Sequence, residues 1–199
     1  MEPETLNLPV LALRGLTVFP HTNLTFDVER HISMKALEVA METGQEIFLV
    51  TQREINVEKP TEQDLYAIGT ISRVTQILRL GQNSLRVMVE GGRRARLKRL
   101  WQLEPYLQGQ VETAEEPESV NHGPKTEALL RQTWSLFQDY AQLAGNVAEE
   151  VIAAALDCQE PGDLADLIAQ NIALRYDDKQ AILEELSPMV RLRKLNGFL

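Results

Sequence analysis

Apolar residues fall in short runs and alternations over the first half of the chain and in a helical period over the second. Leu6–Leu13 reads as a mostly buried strand, and Asn23–Val28 alternates with Leu24, Phe26 and Val28 on one face. Ile32, Ala36, Leu37, Ala40 and Met41 follow helical spacing, and Gly44 fits the position just past a helix end. Glu46–Thr51 is a buried strand centred on Ile47–Val50, and Thr61 caps a short helical turn. Gly69–Leu80 and Ser84–Glu90 form a hairpin around Gly81-Gln82-Asn83, with Leu85, Val87 and Val89 sharing a face. Arg93–Leu100 and Tyr106–Glu112 complete about six strands. The expectation is a small, curled, barrel-like sheet with one inserted helix.

The chain changes character across Glu112–Pro124, where glutamates, prolines and a glycine leave little to pack. This divides it into a β-rich domain over residues 1–112, an acidic linker over 113–124, ordered or loose, and a helical bundle over 125–199. In the bundle Leu130, Trp134, Phe137, Ala141 and Ala144 define a first helix that Gly145 ends. Asn146 with Glu149 has the form of a capping box for a second helix, and Asp163 of a cap for a third bearing Leu164, Leu167, Ile168 and Ile172. Asp177 opens a fourth, and Ser187-Pro188 a fifth whose apolar face is Val190, Leu192 and Leu195. That helix runs nearly to the chain end with few residues left to pack, so it reads as truncated from something longer. The fold class is therefore α+β.

Composition narrows the function. Of 199 residues 44% are hydrophobic and 25% charged, which is ordinary for a globular protein. A net charge of -9 argues against a protein that coats nucleic acid through a general positive field. Cys158 is the single cysteine, so no intramolecular disulfide can form and a thiolate zinc site has too few ligands. The start, Met1-Glu2-Pro3-Glu4-Thr5, lacks the basic and apolar regions of a signal peptide, and no apolar stretch is of membrane-spanning length. A cytoplasmic location is expected, with no membrane partner.

Catalytic signatures are hard to find. No segment matches the phosphate-binding pattern of two glycines followed by Lys and Ser or Thr, and Gly91-Gly92 reads as a bend between two strands. His21, His31 and His122 form no metal-ligand spacing and read as surface or loop residues. Asp177-Asp178 and Glu184-Glu185 serve as helix-start and polar-face residues. The basic run Arg93–Leu100 would place Arg94, Arg96 and Lys98 on one face of a strand, with Trp101 and Tyr106 as stacking groups. This is either an anion or RNA surface or a solvated outer strand. Val18-Phe19-Pro20 either plugs the sheet or stands partly outward as an apolar surface for unfolded chains. No metal site and no catalytic residue is assigned.

Several segments, in order, resemble the amino-terminal region of Lon ATP-dependent proteases. Leu8–Pro20 looks like that family's opening strand and turn, Ser33–Glu38 like its first helix, and Ile47–Gln52 like its next strand. Asp64–Thr70, Val87–Gly91, Asp163–Ala169 and Lys179–Glu184 continue the match. The resemblance implies a PUA-like β domain followed by a helical bundle. It also implies a role in selecting unfolded or damaged proteins and in assembling a homohexamer. The ATPase and serine–lysine peptidase modules that follow in that family have no counterpart in these 199 residues. The expectation is a non-catalytic module with no cofactor of its own, ATP and magnesium belonging to the parent protease. The candidate substrate contacts are Val18, Phe19, Pro20, Trp101 and Tyr106. The alternatives are an RNA-binding module using Arg94, Arg96 and Lys98, or a purely structural oligomerisation domain.

Overall fold

The computed structural model describes residues 3–117 and 123–199. The chain forms two compact units, Met1–Glu115 and Glu116–Leu199. The acidic stretch 118–122, with His122, and the first two residues lie outside the described residues.

The first unit is a curled six-stranded sheet with one helix, as the residue pattern predicts. Its elements are β1 (Thr5–Leu13), β2 (Asn23–Val28), α1 (His31–Glu42), β3 (Glu46–Thr51), β4 (Ile68–Arg79), β5 (Leu85–Gln102) and β6 (Gln108–Thr113). The strand order is β2-β5-β4-β3-β1-β6, with a further β5–β6 pairing. β1 and β3 run parallel, and every other pairing is antiparallel.

Both faces of the central strands are covered, which is why β1 and β3 read as unbroken apolar runs rather than alternations. Val10 and Ala12 of β1 join Phe48, Val50, Ile71 and Val111 in one cluster. Leu11 and Leu13 point the other way and join Ile47, Leu49 and Val87 with Ala36, Leu37 and Ala40 of α1. One-residue steps along β1 thus move from one core to the other.

The two strands expected over Ser84–Glu90 and Arg93–Leu100 are one strand, β5. Gly91 and Gly92 bend it without ending it. The register against β4 shifts there, so Val89 faces the α1 cluster and Ala95 the opposite one. The basic run is an outer strand only in its last part. β4 flanks β5 from Leu85 to Arg96, with β2 and then β6 on its other side, and from Arg99 to Gln102 β6 alone pairs with it among the described residues.

The second unit holds α2 (Pro124–Ala144), α3 (Glu149–Asp157), α4 (Pro161–Asn171), α5 (Tyr176–Leu183) and α6 (Pro188–Asn196). Gly145 ends α2 in the left-handed conformation at φ 65°. Two expected caps are displaced. α3 is preceded by Ala148 rather than Asn146, and α4 begins at Pro161, with Asp163 inside its first turn. Proline is preorganised for a first helical position, and there it outcompetes the aspartate. On α6, Leu192 and Leu195 are buried as expected, whereas Val190 is exposed and Arg191 is fully buried.

Candidate functional site

The sheet closes on itself at one end only. The second half of β5 pairs with β6, and β6 pairs with Thr5–Pro9 of β1, which completes a ring through β3 and β4. At the other end β2 takes the place of β6 beside β5, in register from Asn23↔Glu90 to Val28↔Leu85. There Leu11–Leu13 of β1 pair with β3 alone, and β2 pairs with β5 alone, among the described residues. Two strand edges therefore remain open. Both border a cleft of about 640 Å³ lined by Leu11, Leu13, Leu16, Phe26 and Val28. A second cleft of about 1000 Å³ adjoins it through the shared residues Glu29, Arg30 and Glu58, and Ile32, Pro60, Leu103 and Pro105 supply its apolar surface.

The shared wall is built around Arg30, which immediately precedes α1. Its Nη1 donates to Gln52 Oε1 at 2.6 Å and its Nη2 to the Ala12 carbonyl, so a side chain occupies a main-chain acceptor on the open edge of β1. Gln52 Nε2 in turn donates to the carbonyls of Glu54 and Val57, at 3.1 and 2.9 Å, which holds the loop leading to Pro60. Partial burial, aided by the like charge of Arg14, lowers the Arg30 pKa to about 10, still charged at neutral pH. Beside it Arg14 makes a two-pronged contact with Glu58 at 3.3 and 3.0 Å. The result is an apolar trough with a hydrogen-bonded, mixed-charge rim. Such a shape suits an extended chain segment with apolar side chains.

A family model described as the ATP-dependent protease La (LON) substrate-binding domain matches residues 7–199. The chain belongs to that family. It is 40% identical to the Lon protease of Desulforamulus reducens over 197 residues, which is 99% of this chain and 24% of the relative. Lon protease 1 of Bacillus subtilis is 36% identical over 97% of the chain and 25% of its own length. The chain thus spans about a quarter of the curated relatives it matches. Among solved structures, the N-terminal domain of the Mycobacterium avium complex Lon protease superposes with a TM-score of 0.78 at 22% identity, covering 97% of both chains. The Lon N-terminal domain protein from Xanthomonas campestris gives 0.68 at 17% identity, over 98% of this chain and 99% of that one. These two establish the shared fold.

Within this Lon-family domain the sequence-predicted contacts form no common exposed surface, Val18 belonging to a core cluster against which Tyr106 packs. Val18 and Phe19 are only 2% and 0% exposed, and Pro20 is buried beside them. The segment is a plug and not an outward turn. Thr70 Oγ1 donates to the Val18 carbonyl at 2.7 Å and Thr22 Oγ1 to the Phe19 carbonyl at 2.6 Å. With its carbonyls satisfied internally the turn can sit inside the fold. Trp101 is 47% exposed, its indole N–H donating to Asn7 Oδ1 at 3.3 Å. Tyr106 is half-buried, and its hydroxyl is 3.1 Å from Gln108 Oε1. Neither lines the clefts, although Leu103, between them in sequence, does.

The basic run is also divided. Arg94 is only 4% exposed, where β4 flanks it on one side and Ala114 N–H donates to its carbonyl on the other. Arg96 and Lys98 are exposed, but Lys98 pairs with Glu112 at 3.4 Å, and neighbouring Arg93 pairs with Glu4 at 2.7 Å. The expected common face of Arg94, Arg96 and Lys98 does not exist as an open cationic surface. His21 is exposed in a loop and His31 opens α1. No group of three or more His, Cys, Asp or Glu residues able to hold a metal is found among the described residues.

Periodicity marked Leu11, Leu13, Phe26, Val28 and Ile32 only as inward-facing positions of their elements, and it passed over Leu103 and Pro105 because they lie in a loop. The available signal was an apolar or proline residue amid charges, as in Glu58-Lys59-Pro60 and Leu103-Glu104-Pro105.

Proposed function

We propose that this chain recruits unfolded or damaged proteins for a Lon-type ATP-dependent serine protease of which it is the substrate-selecting region. The observation that carries this reading is the open seam of the sheet, with its adjoining apolar clefts between β1, β2 and the Leu103–Pro105 loop. An unfolded chain offers extended apolar segments that a folded protein hides. One such contact is weak, and a ring of subunits repeating it raises the effective affinity. A homohexamer around ATPase and peptidase modules, with ATP and magnesium bound there, gives that arrangement. The curled sheet is compatible with a PUA-like β domain, and a reducing cytoplasm suits a chain with one cysteine.

Fluorescence anisotropy of a labelled, permanently unfolded protein titrated with this chain tests the reading, alongside a folded control and a short RNA. Selective binding of the unfolded chain is the expected result. Salt-sensitive binding of RNA alone would replace recruitment with a nucleic-acid function. Silence from all three with mass growing with concentration would leave assembly as the role. The ion pairs that occupy Arg93 and Lys98 and the burial of Arg94 weigh against the RNA outcome.

A further inference from the structure

We propose that the recruited segment binds as an added β-strand along the open edge of β2, hydrogen-bonded to the main chain of Asn23, Thr25 and Asp27. This rests on the recruitment reading and specifies its occupant: an extended polypeptide segment of neutral or basic character.

The phase of the ladder identifies which residues face outward. Gly91 N–H donates to the Thr22 carbonyl at 2.8 Å, and Asn23 lies opposite Glu90. In an antiparallel pair, hydrogen-bonded and non-hydrogen-bonded positions alternate. Leu24, Phe26 and Val28 therefore turn their N–H and C=O groups toward β5. Asn23, Thr25 and Asp27 turn theirs away, toward the edge that no strand covers among the described residues. An uncovered edge is a template for another strand, and proteins normally protect it with proline, lysine or a bulge. β2, with the sequence Asn-Leu-Thr-Phe-Asp-Val, has no proline or lysine, and its register against β5 is unbroken.

The facing edge of β1 is closed differently. Its Ala12 carbonyl is already taken by the Arg30 guanidinium, so the free main-chain groups of the seam belong chiefly to β2. A strand laid there would drop alternate side chains into the 640 Å³ cleft and leave the others in solvent. The lining of the two clefts carries four carboxylates, Asp27, Glu29, Glu58 and Glu104, against Arg14, Arg30 and Lys59. Glu29 is exposed at the end of β2, where it favours a basic residue on the incoming segment. Main-chain pairing also explains how a single site accepts many sequences, since the hydrogen bonds are independent of side-chain identity.

The test uses the intact chain and a lysine-flanked peptide of alternating apolar and polar residues. Two N-methylated versions block the amides on one edge of the peptide or on the other. The expected result is binding of the parent peptide, with slowed hydrogen exchange at the amides of Asn23, Thr25 and Asp27 by NMR. One methylated peptide should bind about tenfold more weakly or worse, while the other is little changed. Equal binding of both methylated peptides with unchanged β2 exchange would overturn strand addition and leave recruitment standing. Failure of the parent peptide and of the unfolded protein to bind would overturn both. Protection of the same amides that grows with protein concentration, without peptide, would assign the edge to a second copy of the chain and overturn the proposal.

Discussion

The Arg191 guanidinium donates to the Asp166 carboxylate at 3.2 Å with both side chains sealed from solvent. The same guanidinium reaches Glu116 Oε1 at 2.5 Å and the carbonyls of Glu185 and Leu186 at 2.8 and 3.3 Å. One cation thereby ties the acidic segment before α2, the helix α4 and the turn before α6. Breaking such a pair is costly because the remaining charge stays buried. Arg191→Met should destabilise the helical unit by about 3–5 kcal/mol. Arg191→Lys should restore only part, since an ammonium cannot serve acceptors spread around a planar fork. Urea denaturation followed by circular dichroism checks both, and a loss under about 1 kcal/mol would show the hub to be dispensable.

Core and cleft separate cleanly at two residues. Phe19 is fully buried, so Phe19→Ala should cost about 3–5 kcal/mol and lower capture only through loss of fold. Leu103 is substantially exposed at the rim of the larger cleft. Leu103→Ser should change stability by no more than about 0.5 kcal/mol yet weaken binding of an unfolded protein several-fold. Thermal melts beside anisotropy titrations resolve the two effects. Undiminished binding by the Leu103 variant would remove the larger cleft from the substrate path.

The sequence made elements legible where one force dominated. The run Leu6–Leu13, the spacing of α1 and the stop at Gly145 are each dictated by burial or by backbone conformation, and they appear as expected. Caps at Asn146 and Asp163 failed because a side-chain cap competes with neighbouring residues, and near Asp163 Pro161 prevailed. Arg191 was invisible because an arginine on a short amphipathic helix reads as solvated, and its partners Glu116 and Asp166 are distant in sequence. The site was the least legible part. Val18-Phe19-Pro20 attracted notice as apolar residues in a turn, yet whether such a turn faces inward depends on acceptance of its carbonyls by Thr70 and Thr22. The open edge of β2 left no mark in the residues, because the lack of proline and lysine in Asn23–Val28 is shared by the interior strand β3. It follows from which strands do not pair, and that is a property of topology.

Gly91 marks the tightest approach in the sheet. A Cβ there would stand 2.0 Å from the Phe19 carbonyl oxygen, in a segment fixed by His21 N–H to Gly91 O and Gly91 N–H to Thr22 O, both 2.8 Å. The backbone cannot retreat without giving up these bonds. Gly91→Ala should therefore destabilise the β unit by about 1–3 kcal/mol or more. Gly81, where an added Cβ meets nothing within 4 Å, is the control, and Gly81→Ala should remain within about 0.5 kcal/mol of the parent. Equal melting temperatures for the two variants would contradict the packing of the Phe19 turn against β5.

Asp27 and Arg86 lie opposite each other on β2 and β5, and the arginine donates to both carboxylate oxygens, at 2.7 and 3.0 Å. The hydrogen bond from Arg86 holds the Asp27 carboxyl below its usual range, against a smaller opposing effect of burial. Because the folded value lies below the unfolded one of about 3.9, the unfolded chain binds more protons between the two. The pair's contribution is therefore complete above the unfolded value and is lost as pH falls through the folded one. Arg86→Gln removes the donor fork. The Asp27 midpoint, read from its carboxyl ¹³C shift, should rise toward the ordinary range, and the acid limb of the stability profile should become shallower. An unmoved midpoint would mean that the pair does not pin β2 to β5 in solution. A midpoint that rises as expected, with binding of the lysine-flanked peptide unchanged, would show that side-chain pairing at Asp27 and main-chain pairing at its outer edge are separable.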